Sequence, residues 1–384
     1  MARGCFIPLV VLLIAHTAMP EDDLLKSLRV VGKEGVNSSA ARVAWDKVIV
    51  RGPAVLPELL QAMNTSDTVA ANWLRTAFDR IVEGEMKNGG KALPVDALLE
   101  FAKDPRHAGR ARRLALEVVE RLQTGTSARL FAGWLEDPEF SYEAIALALE
   151  SAETIKDKET AVAAYRAAFT ACRDLQQARL AATQLKARGV EVSVADHMGF
   201  LQDWYCVGPF DAKGMKGFQS VYPPETGKVD LAAEYQGKEV KIRWKRYHVR
   251  EPSPNGGAAH VALVNLREPL GDAADAVGYA YTAIEVAAPL EAEFRGAADD
   301  NFTIWVNGQR VFGFEEYRNG VRLDRHRFKA KLQSGKNAIL VKVCQAPVDA
   351  SNTEPNWEFL LRIVDASGKA IAMKNALPPD TKKD

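Results

Sequence analysis

The octapeptide Phe302-Thr303-Ile304-Trp305-Val306-Asn307-Gly308-Gln309 constrains this chain more than any other stretch. Phe302, Ile304 and Val306 alternate with Thr303, Trp305 and Asn307, the period of a strand with one apolar face. Asn-Gly then supplies two residues that tolerate positive φ, which sets a type I′ hairpin and a returning strand from Gln309. The same period of two begins near Asp196. Val240, Ile242 and Trp244 alternate with Lys241, Arg243 and Lys245, and Val277, Tyr279 and Tyr281 follow. Phe328, Ala330 and Leu332 precede the turn Ser334-Gly335, Leu340-Val341-Lys342-Val343 follows it, and Trp357, Phe359, Leu361 and Ile363 form a last strand. Short strands with turns at this spacing predict an antiparallel β-sandwich over residues 197–372.

Before Asp196 the period is helical, so the fold class is multidomain, α followed by β. Val55-Leu56-Pro57-Glu58-Leu59-Leu60, Leu93-Pro94-Val95-Asp96-Ala97-Leu98-Leu99 and Leu130-Phe131-Ala132-Gly133-Trp134-Leu135 lead to Asp67, Asp104-Pro105 and Asp137-Pro138. These acids recur at intervals of roughly 35 residues, a helical-repeat period. Asp suits the cap of a following helix, and Pro suits its first turn. Ala111, Leu114, Ala115, Val118, Val119 and Leu122 make an apolar stripe on one helix face. Residues 39–152 resemble HEAT-like helix pairs stacked as a short solenoid. Ala161, Tyr165, Ala168 and Phe169, then Ala178, Ala181, Ala182 and Leu185, with Gly189 as a stop, resemble a tetratricopeptide-type hairpin. The helical-repeat domain is expected over 21–195. A stacked repeat implies either a concave surface for a protein partner or a spacer carrying the second domain.

Arg3 followed by the apolar run Cys5 to Ala15 has the shape of a secretory signal peptide, expected over residues 1–18, ahead of the acidic Glu21-Asp22-Asp23. An uncleaved anchor is the rival reading. Export implies a periplasmic or secreted protein with no stable membrane span once the signal is removed. Fifty Lys plus Arg balance fifty Asp plus Glu, so no overall field argues for nucleic acid. Of four cysteines, Cys172, Cys206 and Cys344 lie beyond the signal, without metal-ligand spacing. They read as small buried hydrophobes, with a Cys206–Cys344 disulfide as the oxidising-compartment alternative. No cofactor or metal is expected. Residues 373–384 lack an apolar period and are expected to be disordered.

Ala298-Asp299-Asp300-Asn301 before the octapeptide resembles the hairpin entry of galactose-binding-like jelly rolls, including the sugar-binding domains attached to glycoside hydrolases. Trp204-Tyr205-Cys206-Val207-Gly208-Pro209-Phe210-Asp211 is similar to the opening phrase of bacterial extracytoplasmic domains of this sort. Ser334-Gly335-Lys336-Asn337-Ala338-Ile339-Leu340-Val341-Lys342-Val343 resembles their later hairpin, without the Trp that relatives carry beside this Asn. The resemblance implies a jelly roll and carbohydrate recognition, although one scaffold hosts many specificities.

The candidate carbohydrate-binding residues are Asp299, Asp300, Trp305, Tyr317, Arg318 and Asn319. The two acids suit sugar hydroxyls, a calcium ion, or backbone donors at the strand start. Trp305, opposite the apolar face, suits stacking on a pyranose or packing under a neighbouring element. The loop 314–327 adds the Tyr317 ring, the Arg318 and Arg322 forks and the Asn319 amide, a set that fits an acidic glycan. No GxSxG, HExxH, GxxxxGK[ST] or GxGxxG occurs, so no catalysis is expected. The leading expectation is a non-catalytic exported protein that binds carbohydrate. The alternative is an envelope scaffold whose helical surface binds a protein.

Overall fold

The computed structural model describes residues 21–65, 67–250, 261–317, 320–348 and 356–379. The signal-like segment 1–18 lies outside them. The chain forms two compact units, the first ending at Leu147 and the second beginning at Ala148. Strands begin after Asp196, but the units divide earlier.

The first unit is helical. It holds α1 (Glu21–Arg29), α2 (Ser38–Val50), α3 (Leu56–Ala62), α4 (Thr68–Lys87), α5 (Val95–Lys103), α6 (Gly109–Leu122) and α7 (Thr126–Phe131), and the division falls within α8 (Ser141–Glu153). Sequential helices pair, α1 with α2, α3 with α4 and α5 with α6. Asp67 caps α4 by accepting the N–H groups of Val69 (2.8 Å) and Ala70 (3.2 Å). The buried stripe Ala70, Leu74, Ala77, Phe78 and Ile81 then follows at helical spacing. Asp104 does not cap α6 as the sequence pattern suggests. It accepts the backbone N–H of Arg106 at 3.0 Å and grips that residue's guanidinium, and α6 starts only at Gly109. Asp137 does both jobs. Its Oδ1 accepts N–H from Glu139 and Phe140, and its two oxygens receive the Arg112 fork at 3.0 and 2.7 Å. Arg112 is fully buried, its Nε donating to Ala102 O at 2.8 Å.

The second unit opens with α9 (Lys158–Ala171), α10 (Leu175–Ala187) and α11 (Val194–Met198), capped by Asp157, Asp174 and Ser193. Its strands are β1 (Asp203–Asp211), β2 (Glu234–Gln236), β3 (Lys241–Arg243), β4 (Lys245–His248) and β5 (Val264–Asn265), then β6 (Ala276–Val286) and β7 (Leu290–Asp299) after a short α12 (Arg267–Leu270). There follow β8 (Phe302–Val306), β9 (Gln309–Phe314), β10 (His326–Leu332), β11 (Gly335–Gln345), β12 (Glu358–Val364) and β13 (Lys374–Asn375). The larger antiparallel sheet runs β4-β1-β6-β11-β8-β9, with β13 also on β6; the smaller runs β10-β7-β12-β5. They share one core. Trp204, Ile284, Ile304 and Val341 of the larger sheet meet Phe294, Phe359 and Leu361 of the smaller, with Trp357 beside them.

The larger sheet buries its second face as well. Tyr205, Tyr279, Tyr281 and Leu340 gather with Phe210, Tyr222 and Trp244, and Phe218 and Leu377 pack against them. Inside this layer lies Lys342, 1% exposed, its ammonium 2.7 Å from Glu225 Oε1 and 2.6 Å from Ser220 O. Glu225 also accepts the Tyr279 hydroxyl. At the far end of β11 the Asn337 side chain is fully buried. Its amide donates to Gln333 O and Gly335 O, and its oxygen accepts from Asn307 of the β8–β9 turn at 2.8 Å. That turn has the positive φ expected of Asn-Gly, 52° and 79°.

Two expectations are corrected, and one alternative is closed. Val240 is 65% exposed and precedes β3, whereas Ile242 and Trp244 are buried. The tail does not lose order at Met373, because Lys374–Asn375 pairs with β6 and Ala376 N donates to Ala283 O at 2.8 Å; residues 380–384 lie outside the described residues. Cys206 and Cys344 are free. They sit on β1 and β11 with β6 between, roughly 10 Å of strand spacing, and contribute to opposite faces. A disulfide cannot span that gap. Burial pushes the Cys172 and Cys344 thiols up to about 12. In a chain starting at Glu21, Cys172, Cys206 and Cys344 are therefore expected to resist a thiol-reactive dye at pH 8 until denaturant is added, as colorimetric titration would show.

Candidate functional site

The end of β7 brings acids to the rim of the second unit. Asp300 is 2% exposed, and its Oδ2 accepts the N–H of Ala346 at 2.7 Å. That bond serves the backbone just past the end of β11, which pairs there with the start of β8. Asn301 is also fully buried, and neither side-chain amide atom has a hydrogen-bond partner among the described residues. Asp299 is half-buried and stands directly across the ladder from Glu358 of β12, which in turn stands across from Asn265 of β5. Residues opposite one another in a ladder project on the same face. Asp299, Glu358 and Asn265 therefore form a polar row across three strand ends.

A cleft of about 450 Å³ opens beside this row, lined by Asn265, Arg267, Glu268, Asp272, Asn356 and Glu358. The α12 turn forms its wall. Asn265 Oδ1 accepts the N–H of Arg267 at 3.0 Å, and the Arg267 guanidinium reaches Asp272 at 2.6 Å. Leu266 N donates to Trp357 O, which holds this turn beside β12. Burial and then the Asp299 carboxylate push Glu358 up to about 7, against the opposing pull of Arg267. Burial likewise raises Asp299, while contacts with Asp300, the Gly320 N–H and Asn356 oppose it. Because Glu358 is raised in the folded state, its contribution to stability is fully present below its ordinary 4.5 and is lost as pH rises through about 7. Near neutrality its carboxyl can donate as well as accept a hydrogen bond.

The other sequence candidates are spread out. Trp305 is half-buried and joins the outer aromatic layer of its own unit with Tyr205 and Leu340. It lies four residues along β8 from Asn301, about 13 Å at strand rise. Trp305 thus sits at the Asn-Gly end and the acids at the other, so they do not form one site. Tyr317 is also half-buried, and its hydroxyl donates to Met215 O at 2.9 Å. Burial places its phenol well above the ordinary range. Arg318 and Asn319 lie outside the described residues. Sequence reasoning missed Glu358 and Asn265. The one available signal was an acid between the core residues Trp357 and Phe359.

Among the described residues no group of three or more His, Cys, Asp or Glu side chains is placed to hold a metal ion. Nor is any helix among them long and apolar enough to cross a membrane. In the helical unit two adjoining clefts of about 410 and 220 Å³ share Arg113 and Glu117 of α6. The larger has an apolar side made by Leu116, Phe131 and Phe140. Arg113 is engaged there by Glu139 and by Glu143, the latter at 2.6 Å.

No family model matches this chain, and no curated protein does. Among solved structures it is similar to a beta-glucuronidase from an uncultured Clostridium species, with 10% identity and a TM-score of 0.25 over 44% of this chain and 29% of that one. It is also similar to the GH31 alpha-xylosidase of Xanthomonas citri, with 12% identity and a TM-score of 0.20 over 44% of this chain and 17% of that one. The chain thus spans under a third of either enzyme's length, and likeness at this level carries no argument about function.

Proposed function

We propose that this chain is an exported, non-catalytic carbohydrate-binding protein, periplasmic or secreted. In this reading residues 21–195 are HEAT-like and tetratricopeptide-like repeats, and 197–372 a galactose-binding-like jelly roll. The cleft beside β5 and β12 carries the proposal. Six side chains capable of hydrogen bonding line it, drawn from amides, carboxyls and a guanidinium. A hydroxyl-rich ligand needs such a mixture of donors and acceptors, held on regular structure. Glu358 and Asn265 supply the floor from strand ends, with Asp299 beside them. Trp305, at the other end of β8, takes no part.

Glycan-array binding of the chain from Glu21 tests this. Asn265→Ala and Glu358→Ala are each expected to weaken binding by about tenfold, while Trp305→Ala leaves it unchanged. Binding by the wild type should weaken as pH rises through about 7, where Glu358 loses its donor proton, and Glu358→Gln should flatten that profile. Loss of binding in Trp305→Ala alone, or no glycan bound by folded protein, counts against the cleft.

The paired clefts on α4, α6 and α7 support a second reading, a scaffold whose helical surface binds a protein while the sheets are structural. It gains if glycan binding is absent and Arg121→Glu in that groove abolishes a co-purifying partner.

A further inference from the structure

The polar cleft has a neighbour. A second cleft of about 550 Å³ is lined by Lys245, Arg246, Tyr247, His248, Arg250, Glu268 and Pro269, and Glu268 belongs to both. The shared wall is held in place. Tyr247 Oη donates to Glu268 Oε2 at 3.1 Å, and Lys245 Nζ donates to Pro269 O at 2.8 Å. The second cleft is basic. Lys245, Arg246 and Arg250 line it together with one carboxylate, Glu268, while His248 is engaged by Asp203 at 3.1 Å. Arg246 and Arg250 are exposed and have no ion-pair partner among the described residues. Two guanidinium forks left open at the edge of a hydroxyl-binding cleft suit a planar or tetrahedral oxyanion.

We infer that the ligand is an anionic polysaccharide, one sugar unit seated against Asn265 and Glu358 and the acidic group of an adjacent unit held by Arg246 and Arg250. This rests on the carbohydrate reading of the first cleft and narrows its substrate class. The acidic group is a carboxylate or a sulfate ester, since either accepts two parallel N–H bonds from an arginine. Lys245, tied to Pro269 O, adds a fixed positive charge rather than a fork.

The experiment measures binding of the chain from Glu21 to immobilised dextran, polygalacturonate, carrageenan and a DNA duplex, at 50 and 500 mM salt. Wild type should prefer polygalacturonate or carrageenan over dextran, the better of the two identifying carboxylate or sulfate. Arg246→Gln/Arg250→Gln should lower that binding about tenfold at 50 mM salt, little at 500 mM, with an unchanged melting temperature. Asn265→Ala should lower it at both salt levels. Equal binding of dextran and the acidic polymers would overturn the inference and leave the carbohydrate reading intact. Equal binding of the duplex would mark an unselective polyanion surface and overturn it too. No binding of any polysaccharide would remove both readings together.

Discussion

Lys342→Met should lower the opening free energy of the β6–β11 amides by about 3–5 kcal/mol, read by native-state hydrogen exchange. The substitution nearly preserves volume, so cavity formation contributes little. The loss comes from Glu225. Its side chain is only 11% exposed, and removing the ammonium 2.7 Å away leaves its carboxylate, among the described residues, to the Tyr279 hydroxyl. Phe218 O and Ser220 O lose a donor at the same time. Lys342→Met/Glu225→Gln should recover much of the loss, because a buried pair replaced at both ends is often near neutral. Protection in the single variant within 1 kcal/mol of wild type would mean that water reaches Glu225. Hydrogen exchange suits this chain because two compact units make a single global unfolding midpoint ill-defined.

A change of similar size is expected in the helical unit from Arg112→Leu, read at the α6 amides. Arg112 is 1% exposed and Asp137 7%, so neither charge is solvated on its own. The guanidinium also lies over the Phe140 and Trp134 rings, 5.0 and 5.6 Å from their centroids. Acid separates the two proteins. Burial alone would raise Asp137, but the Arg112 fork and the N–H groups of Glu139 and Phe140 outweigh it and hold the carboxyl below its ordinary 3.8. In wild type that stabilisation is present above 3.8 and is lost as pH falls through the folded value. In Arg112→Leu the carboxylate is buried without its cation, so acidification should recover stability instead. The same decline toward low pH in both proteins would discard this account.

Much of the architecture was legible because it is written in short-range periodicity. The stripe on α6, the Asp67 cap and the two faces of β8 each depend on residues a few positions apart. Burial of polar side chains was not legible. Lys342 and Arg362 fall where strand alternation marks a solvated face, yet they are 1% and 2% exposed. Lys342 is covered by the stretch between β1 and β2. Arg362 is met by Asp324 at 2.7 Å and by Met198 O at 3.3 Å, residues far away in sequence. The cleft was hidden for the same reason. Asp299, Glu358 and Asn265 meet only once β12 has paired with both β7 and β5, and no local pattern specifies that pairing. Trp305 stood out as an unusual residue on the outer face, but sequence did not reveal that this face carries an aromatic layer of its own.

The amide pair Asn307–Asn337 has a consequence for which structure the chain can settle into. β11 is central, flanked by β6 and β8, and both its faces are covered. Sliding it by one residue would exchange Val341 with Lys342, placing an ammonium among Phe294, Phe359 and Leu361 and stranding Glu225. It would also pull Asn337 away from Asn307, leaving buried amide groups unmet. Misalignment therefore carries penalties at both ends of one strand, and the sequence discriminates against a neighbouring fold by what it would strand as well as by what the native alignment joins.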